Sequence, residues 1–366
     1  MKKKIMIIAG ARPNFMKIAP LMKEFRNHSS FEAVLVHTGQ HYDFQMSETF
    51  FQDLDIPKPD VYLNVGSGSH AVQKAKIMMA FEEVLLQKQP DLLIVVGDVN
   101  STVACSLVAA KLSTPVAHVE AGLRSFDRGM PEEINRLVTD ALSDYLFVSE
   151  ASGMHNLKKE GLPKQKVHFV GNVMIDTLLG HRAKIAKSDI MKKLALKPKT
   201  YCVVTLHRPS NVDSKEALEK ILDILEAISR RVKVVYPIHP RSRKMIQEHG
   251  LHERVQKIQN LSLLDPQGYV DFIQLVKNAS FVLTDSGGIQ EETTVLRVPC
   301  LTMRDNTERP VTIKLGTNRL VRRNKGEILR HIDAILRGRT KQGRIPPYWD
   351  GRAAKRIVKV LQKAMK

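Results

Sequence analysis

Short runs of Val, Ile and Leu alternate along the chain with longer segments whose apolar residues recur every three or four positions. In the N-terminal half the short runs are KIMIIAG, EAVLVHTG, DLLIVVGD, TPVAHVE and YLFVSE. The longer ones include SETFFQDLD, SHAVQKAKIMMAFEEVLLQKQ and STVACSLVAAKLS. Near-continuous apolar strands separated by helices are the βαβ pattern of a parallel sheet covered on both faces. KVHFVGNVMIDTLL then brings a further strand, a Gly-Asn break and a new helix start. A second series follows in TYCVVTLH, RVKVVYPIH, RVQKIQN, ASFVLTD and VPCLTM. Between its first two members, DSKEALEKILDILEAISRR predicts an amphipathic helix capped by Asp213 with Glu216. The pattern predicts two Rossmann-like α/β domains facing across a cleft, residues 1–170 and 171–348, joined near Gly171. The amphipathic C-terminal segment 349–366 is assigned to the first domain, with a cover for the last sheet as the alternative.

With 366 residues, 43% of them hydrophobic, the chain can fill two such cores. No apolar stretch approaches the length of a membrane span. The opening MKKKIMIIAGARP has an apolar run too short for a signal peptide and reads as a first strand. Cys105, Cys202 and Cys300 are scattered, odd in number and without metal-ligand spacing, so a reducing cytoplasm is expected. The formal charge of +19 raises nucleic acid as a partner, but the charge is spread out and aromatics are only 5%, so stacking platforms are scarce. The densest basic run, LVRRNKGEILRHIDAILRGRTKQGR, has a helical apolar period and reads as a solvated helix face. Neither a nucleic acid nor a membrane is expected as partner.

In open parallel sheets, ligands bind beyond the carboxyl ends of the strands. Polar residues collect there: Arg12, His37, Gln40, Asp98 and Glu120 in the first series, and His207, His239, Asp285 and Ser286 in the second. Asp98 also fits as a helix cap. In TDSGGIQEE, glycines at a strand-to-helix turn let a ligand approach the backbone, and unpaired helix N–H groups attract an anion. Glu292 follows Gly288 by one helical turn, about 5 Å, within reach of a ribose next to a bound diphosphate. The loop TMRDNTERPVT brings Arg304 and Arg309, whose guanidinium forks suit a diphosphate. In GLRSFDRGMPEEINR, Glu132 and Glu133 fall in the first turn of a helix, where one of them serves the helix dipole. No GxGxxG follows the first strand and no Walker lysine motif occurs, so neither a nicotinamide nor a P-loop is indicated. No cofactor and no metal is expected.

Ten segments, in order, carry a resemblance: GARPNFMKIAPL, TGQHYD, GDVNSTVA, HVEAGLRS, MPEEINR, VGNVMIDT, TLHRPSNVD, DPQGYVDFIQL, TDSGGIQEE and MRDNTERP. Together they resemble the non-hydrolysing UDP-N-acetylglucosamine 2-epimerases. The resemblance implies the two-domain glycosyltransferase-B architecture and interconversion of UDP-N-acetylglucosamine with UDP-N-acetylmannosamine in a homodimer. It implies that Arg12 and Lys17 contact the nucleotide sugar and that Gln267 and Phe272 hold the uracil. It likewise assigns Ser286, Gly287, Gly288 and Arg309 to the diphosphate, Glu292 to the ribose, and Asp98, Glu120, Glu132 and His207 to catalysis. Many bacterial members have Gln-His-Arg where this chain has Gln40, His41 and Tyr42, which puts a regulatory substrate site in question. A glycosyltransferase of the same architecture and a hydrolysing 2-epimerase are the rival readings.

Overall fold

The computed structural model describes residues 2–39 and 50–365. The chain divides into two units, Met1–Gly180 with Pro347–Lys366, and His181–Pro346. The first holds strands β1 (Lys3–Ala9), β2 (Phe31–His37), β3 (Val61–Tyr62), β4 (Leu92–Val96), β5 (Val116–Val119), β6 (Tyr145–Val148) and β7 (Val167–Phe169). Among the described residues they form one parallel sheet in the order β3-β2-β1-β4-β5-β6-β7. Alternate residues face opposite sides of a strand. Met6, Ile8, Leu93 and Val95 therefore share one face, buried under Ile77, Phe81 and Leu85 of helix His70–Lys88 and under Ala104 and Val108 of helix Asn100–Lys111.

The second unit holds β8 (Tyr201–Thr205), β9 (Lys233–Pro237), β10 (Leu261–Leu264), β11 (Val282–Thr284), β12 (Cys300–Met303) and β13 (Asn318–Val321). Its parallel sheet runs β10-β9-β8-β11-β12-β13. Cys202 and Val204 pack under Leu218, Leu222 and Leu225 of helix Lys215–Ser229, while Tyr201 and Val203 meet Leu275, Val276 and Ile289 on the other face. In each sheet the order reverses once, between β1 and β4 and between β8 and β11. Loops diverge there and leave a crevice at the carboxyl ends.

Several expectations shift. RVQKIQN, expected as a strand, holds the short helix His252–Gln256, and β10 follows it. Val255 and Ile258 are both buried at a spacing that suits a helix better than a strand. The helix expected to be capped by Asp213 is capped one residue later: Ser214 Oγ accepts from Ala217 N–H at 3.2 Å. Asp213 is drawn away by Arg241, which forks onto it at 2.7 and 2.5 Å. The junction lies at Gly180–His181 rather than at Gly171. Thr177 donates to the Met16 carbonyl at 2.5 Å, and Asp176 accepts the N–H groups of Ala353 and Ala354 at 3.0 and 2.7 Å. Helix Val173–Gly180 is thus held by the first unit, together with the last helix, Ala353–Ala364. The buried Trp349 indole N–H donates to Ser149 at 2.9 Å and secures the returning segment.

Candidate active site

Helix Arg12–Arg26 follows β1 and carries Lys17, whose buried ammonium donates to Glu120 Oε2 at 2.5 Å. Glu120 directly follows β5 with φ of 76°, a left-handed conformation uncommon for a residue with a Cβ. Such strain persists only where the surroundings enforce it. Gly97, directly after β4, makes room for the pair. A Cβ there would stand 2.6 Å from Lys17 Nζ and 3.6 Å from Glu120 Oε2. Asn14 joins the two turns, accepting from Gly10 and Ala11 N–H at 3.0 and 3.1 Å and donating to the Val96 carbonyl at 3.2 Å.

Asp98 does not cap the helix that follows it, whose N-cap is Val99. Its Oδ2 accepts from Arg136 Nε and Nη2 at 3.0 and 2.7 Å. Arg136 also donates to Glu133 at 2.6 Å. Glu133 is the structural member of the glutamate pair. It is buried, and it accepts from Ser125 N–H and Oγ at 2.9 and 2.8 Å and from Phe126 N–H at 3.0 Å, closing the loop before its helix. Glu132 is half-buried and has no hydrogen bond or ion pair among the described residues.

Behind these groups, His118 on β5 is fully buried, with Nδ1 2.6 Å from Asp140 Oδ1 and Nε2 2.7 Å from the Gly97 carbonyl. Asp140 Oδ2 accepts from Gly122 N–H at 3.0 Å and pairs with Arg124 at 2.7 Å. Burial pushes Asp140 up, but His118 and Arg124 outweigh it and hold the carboxyl below its ordinary range. One carboxylate thereby ties the turn after β4 to the turn after β5.

In the second unit, Asp285 directly follows β11 and is fully buried. It accepts from the N–H groups of His207 and Arg208 at 3.0 and 2.9 Å, from Asn211 Nδ2 at 2.9 Å, and lies 3.0 Å from His207 Nδ1. This fixes the imidazole by one nitrogen, with the His239 ring 5.1 Å from it. Next, Ser286 is the N-cap of helix Gly287–Leu296 but makes no capping side-chain hydrogen bond, so the first helix N–H groups stay open to an anion. Arg309 lies against this turn. A Cβ on Gly287 would be 2.9 Å from its Nη1. Arg309 and Arg304 are both buried and alternate with Glu291 and Glu308: Arg309 Nε meets Glu291 at 2.8 Å, Arg309 Nη1 meets Glu308, and Arg304 Nη2 meets Glu308 at 2.8 Å. Gln290 locks the arginine loop to the helix, accepting from Thr307 Oγ1 at 2.8 Å.

Glu292 lies one turn into the helix and is buried, with Oε1 lacking a hydrogen-bond donor among the described residues. The neighbouring Tyr269 hydroxyl, also buried, does not complete a hydrogen bond to it. Burial raises the Glu292 carboxyl to about 8, and the Glu291 charge adds to the rise.

Comparison with known proteins decides what this constellation belongs to. The family model described as UDP-N-acetylglucosamine 2-epimerase matches residues 23–362. The chain belongs to the UDP-N-acetylglucosamine 2-epimerase family. A family homolog from Methanococcus maripaludis is 47% identical over 331 residues, covering 90% of this chain and 91% of its own. The UDP-2,3-diacetamido-2,3-dideoxy-D-glucuronate 2-epimerase of Pseudomonas aeruginosa is 41% identical over 363 residues, covering 98% and 99%. The crystal structure of the Methanocaldococcus jannaschii UDP-GlcNAc 2-epimerase, in complex with UDP-GlcNAc and UDP, superposes with a TM-score of 0.93 at 40% identity, covering 98% and 99%. The architecture is the two-domain parallel α/β fold of this 2-epimerase family.

Of the residues selected from sequence, the first unit gathers Lys17, Asp98 and Glu120 at the ends of β4 and β5, and the second gathers His207, Ser286, Gly287, Gly288, Glu292 and Arg309 after β8 and β11. Phe272 packs, partly buried, in the same apolar cluster as Ile289 of the Gly287–Leu296 helix. Gln267, in the loop before Phe272's own helix, donates to the Asp265 carbonyl at 2.7 Å. Arg12 opens its helix, but its side chain, like Gln40, His41 and Tyr42, lies outside the described residues. His37 is a packing residue rather than a site residue. It stacks on Phe15, accepts from Gly39 N–H, and is lowered to about 4 by burial. Arg136, His118, Asp140 and Asp285's grip on His207 went unread in the sequence. The available signal for His118 was a polar residue within an otherwise apolar strand, two residues before Glu120.

Glu292→Gln keeps the shape of the side chain and removes its titration. Because the unfolded carboxyl ionises near 4.5 and the folded one near 8, the wild type should lose stability as pH rises between these values. The variant should lack that slope, and should bind UDP roughly tenfold more weakly, the loss of about one hydrogen bond to a hydroxyl. Thermal melts across the window and UDP calorimetry check both. Parallel melting profiles for the two proteins would refute the assignment.

Proposed function

We propose that this chain inverts C2 of a UDP-linked 2-acetamido sugar, interconverting UDP-N-acetylglucosamine and UDP-N-acetylmannosamine in a reducing cytoplasm. C2 bears no adjacent carbonyl, so simple deprotonation is costly. Elimination solves this. A base takes the C2 proton, the C–H electrons form the C1–C2 double bond, and the C1–O bond breaks to release UDP. The intermediate is a 2-acetamidoglucal. Protonation of C2 from the other face and attack of a UDP oxygen on C1 give the epimer.

The second unit's groups suit the leaving group. The open N–H groups at Gly287 and Gly288 with Arg309 stabilise the departing diphosphate, Glu292 takes the ribose hydroxyls, and Gln267 and Phe272 hold the uracil. His207, oriented by Asp285, neutralises charge on the diphosphate or moves a proton. Arg12 and Lys17 add positive charge, and Asp98, Glu120 and Glu132 serve the two faces of C2. The observation that carries this reading over a glycosyltransferase is the carboxylate set beyond β4 and β5. Asp98 and Glu120 are held there by cations, while Glu132 is committed to no described partner.

Incubation with UDP-N-acetylglucosamine alone tests it: UDP-N-acetylmannosamine should accumulate to equilibrium without an acceptor. Unchanged substrate, or free N-acetylmannosamine as the only product, would contradict it. A second reading, the same C2 inversion on a 2,3-diacetamido uronate, is favoured by the Pseudomonas aeruginosa relative at 41% identity. A kcat/KM comparison of the two substrates separates them. Because arginines, a lysine and helix N–H groups supply the charge at the diphosphate, turnover should persist in excess EDTA. Loss restored by magnesium or manganese would count against this clamp.

A further inference from the structure

Helix Pro131–Leu142 does more than carry Glu132 and Glu133. Arg136 and Asp140 lie one turn apart on one face of it, and each reaches a different strand end. Arg136 holds Asp98 beyond β4. Asp140, fully buried, reaches β5 and the turn that follows it. Its Oδ1 lies 2.6 Å from His118 Nδ1, and its Oδ2 accepts from Gly122 N–H at 3.0 Å. These partners stand two residues before and two residues after Glu120. Asp140 thus clasps both flanks of the residue whose φ is 76°. Strain of that kind needs an outside restraint. Gly122 is itself wedged against helix Ala151–Lys159, where an added Cβ would stand 2.5 Å from the Gly153 carbonyl oxygen, and its own carbonyl accepts from Asn156 at 2.9 Å.

The clasp extends to the second carboxylate through the imidazole. His118 Nε2 lies 2.7 Å from the Gly97 carbonyl, and Gly97 directly precedes Asp98. A carbonyl only accepts, so Nε2 carries a hydrogen. Two bare acceptors would repel at 2.6 Å, so a proton also lies between Nδ1 and Asp140 Oδ1. The ring is bonded at both ends and cannot turn. One carboxylate therefore sets the chain on both sides of Glu120 and, through one ring, the peptide that leads into Asp98. An ion pair that served the core alone has no need to end on the residues flanking two active-site carboxylates.

We propose that Asp140, acting through His118, is the positioning residue that holds Glu120 and Asp98 in register with each other. It acts on the chemistry only through those two carboxylates, and the proposal rests on the reading that they handle the C2 proton. Misplacing such groups by about 1 Å costs on the order of 10²-fold in rate.

Two substitutions separate positioning from charge. Asp140→Ala deletes the clasp. Asp140→Asn rebuilds it without the charge, because the amide N–H supplies the proton to Nδ1 and the amide oxygen still accepts from Gly122, with Arg124 kept in place by Glu160. Asp140→Ala should lower kcat for UDP-N-acetylglucosamine about 10²-fold, while UDP affinity, assigned to the second unit, stays within about twofold. Its crystal structure should show Glu120 relaxed to a negative φ. Asp140→Asn should stay within about fivefold of wild-type kcat and keep Glu120 left-handed. His118→Asn, whose shorter side chain reaches Asp140 but not the Gly97 carbonyl, should cost about tenfold in kcat with Glu120 unmoved, and it serves as the test should Asp140→Ala fail to fold. Equal losses in the alanine and asparagine variants, near-normal kcat in Asp140→Ala or His118→Asn, UDP affinity falling in step with kcat, or an unmoved Glu120 in Asp140→Ala would overturn the proposal. A wild type that leaves UDP-N-acetylglucosamine unchanged would instead sink the assigned reaction, and the Glu120 φ in Asp140→Ala would still decide the positioning claim.

Discussion

Replacing Glu120 by glutamine is expected to lower kcat by about 10²-fold or more while leaving the affinity for UDP nearly unchanged. Glu120 is held in a left-handed backbone conformation at the end of β5, and a buried lysine meets its carboxylate at 2.5 Å. A structural ion pair does not need that strain. The amide of Glu120→Gln can still accept a hydrogen bond from Lys17 but cannot take a proton from C2. It also leaves the buried ammonium without its countercharge, which costs stability on the order of 3–5 kcal/mol. Lys17→Met in the same chain separates the two effects. The double variant should regain much of the stability and none of the turnover. Steady-state kinetics with a parallel denaturant melt measures both, and near-normal kcat in Glu120→Gln removes this residue from the proton-handling group.

The second large effect is expected at the Asp285–His207 pair. The buried Asp285 carboxylate meets four donors from the His207–Asn211 turn, counting His207 Nδ1. In Asp285→Asn a side-chain NH₂ would confront some of those donors, and the imidazole would lose its fixed orientation. A fall in kcat of roughly 10²-fold is expected for Asp285→Asn and for His207→Asn. The double variant should be little worse than either, because one residue acts through the other. The acid side offers a separate check. Burial raises the Asp285 carboxyl, but His207, Asn211 and the Arg208 N–H outweigh it and hold it below its ordinary range. A depressed carboxyl stabilises the fold above the ordinary carboxylate range and loses that contribution as pH falls through the folded value. The stability gap between wild type and Asp285→Asn should therefore shrink on acidification. Fully additive losses of kcat would mean that His207 acts without Asp285.

The strands that line the two sites were legible because each is apolar on both faces and is followed by a polar residue, as in LLIVVG before Asp98 and FVLT before Asp285. The edges were not. β3 is two residues long, and β10 is only partly buried, so neither produces a continuous apolar run, and a buried Val255–Ile258 pair imitated a strand just before β10. The Ser-Gly-Gly turn and Glu292 could be placed on one helix from spacing alone. The choice between Glu132 and Glu133 could not. Both occupy a first helical turn, and only the fold brings Ser125, Phe126 and Arg136 onto Glu133. The same holds for Arg136 on Asp98 and Asp285 on His207. Side chains 38 and 78 residues apart meet only when the fold brings a helix against one strand end, as for Arg136 and Asp98, or two strand ends together, as for His207 and Asp285.

The most direct test of the central claim is the fate of the hydrogen at C2. With UDP-N-acetylglucosamine in D₂O, a base that exchanges with solvent should not return the proton it removes. The account predicts deuterium at C2 of the UDP-N-acetylmannosamine formed, and, on prolonged incubation, at C2 of the recovered UDP-N-acetylglucosamine as well. Free UDP and the glycal should also accumulate slowly, because the intermediate is two molecules held only by non-covalent contacts. Proton NMR and mass spectrometry of the recovered sugar nucleotides read all three. Epimerised product that retains its original hydrogen at C2 would contradict the elimination route.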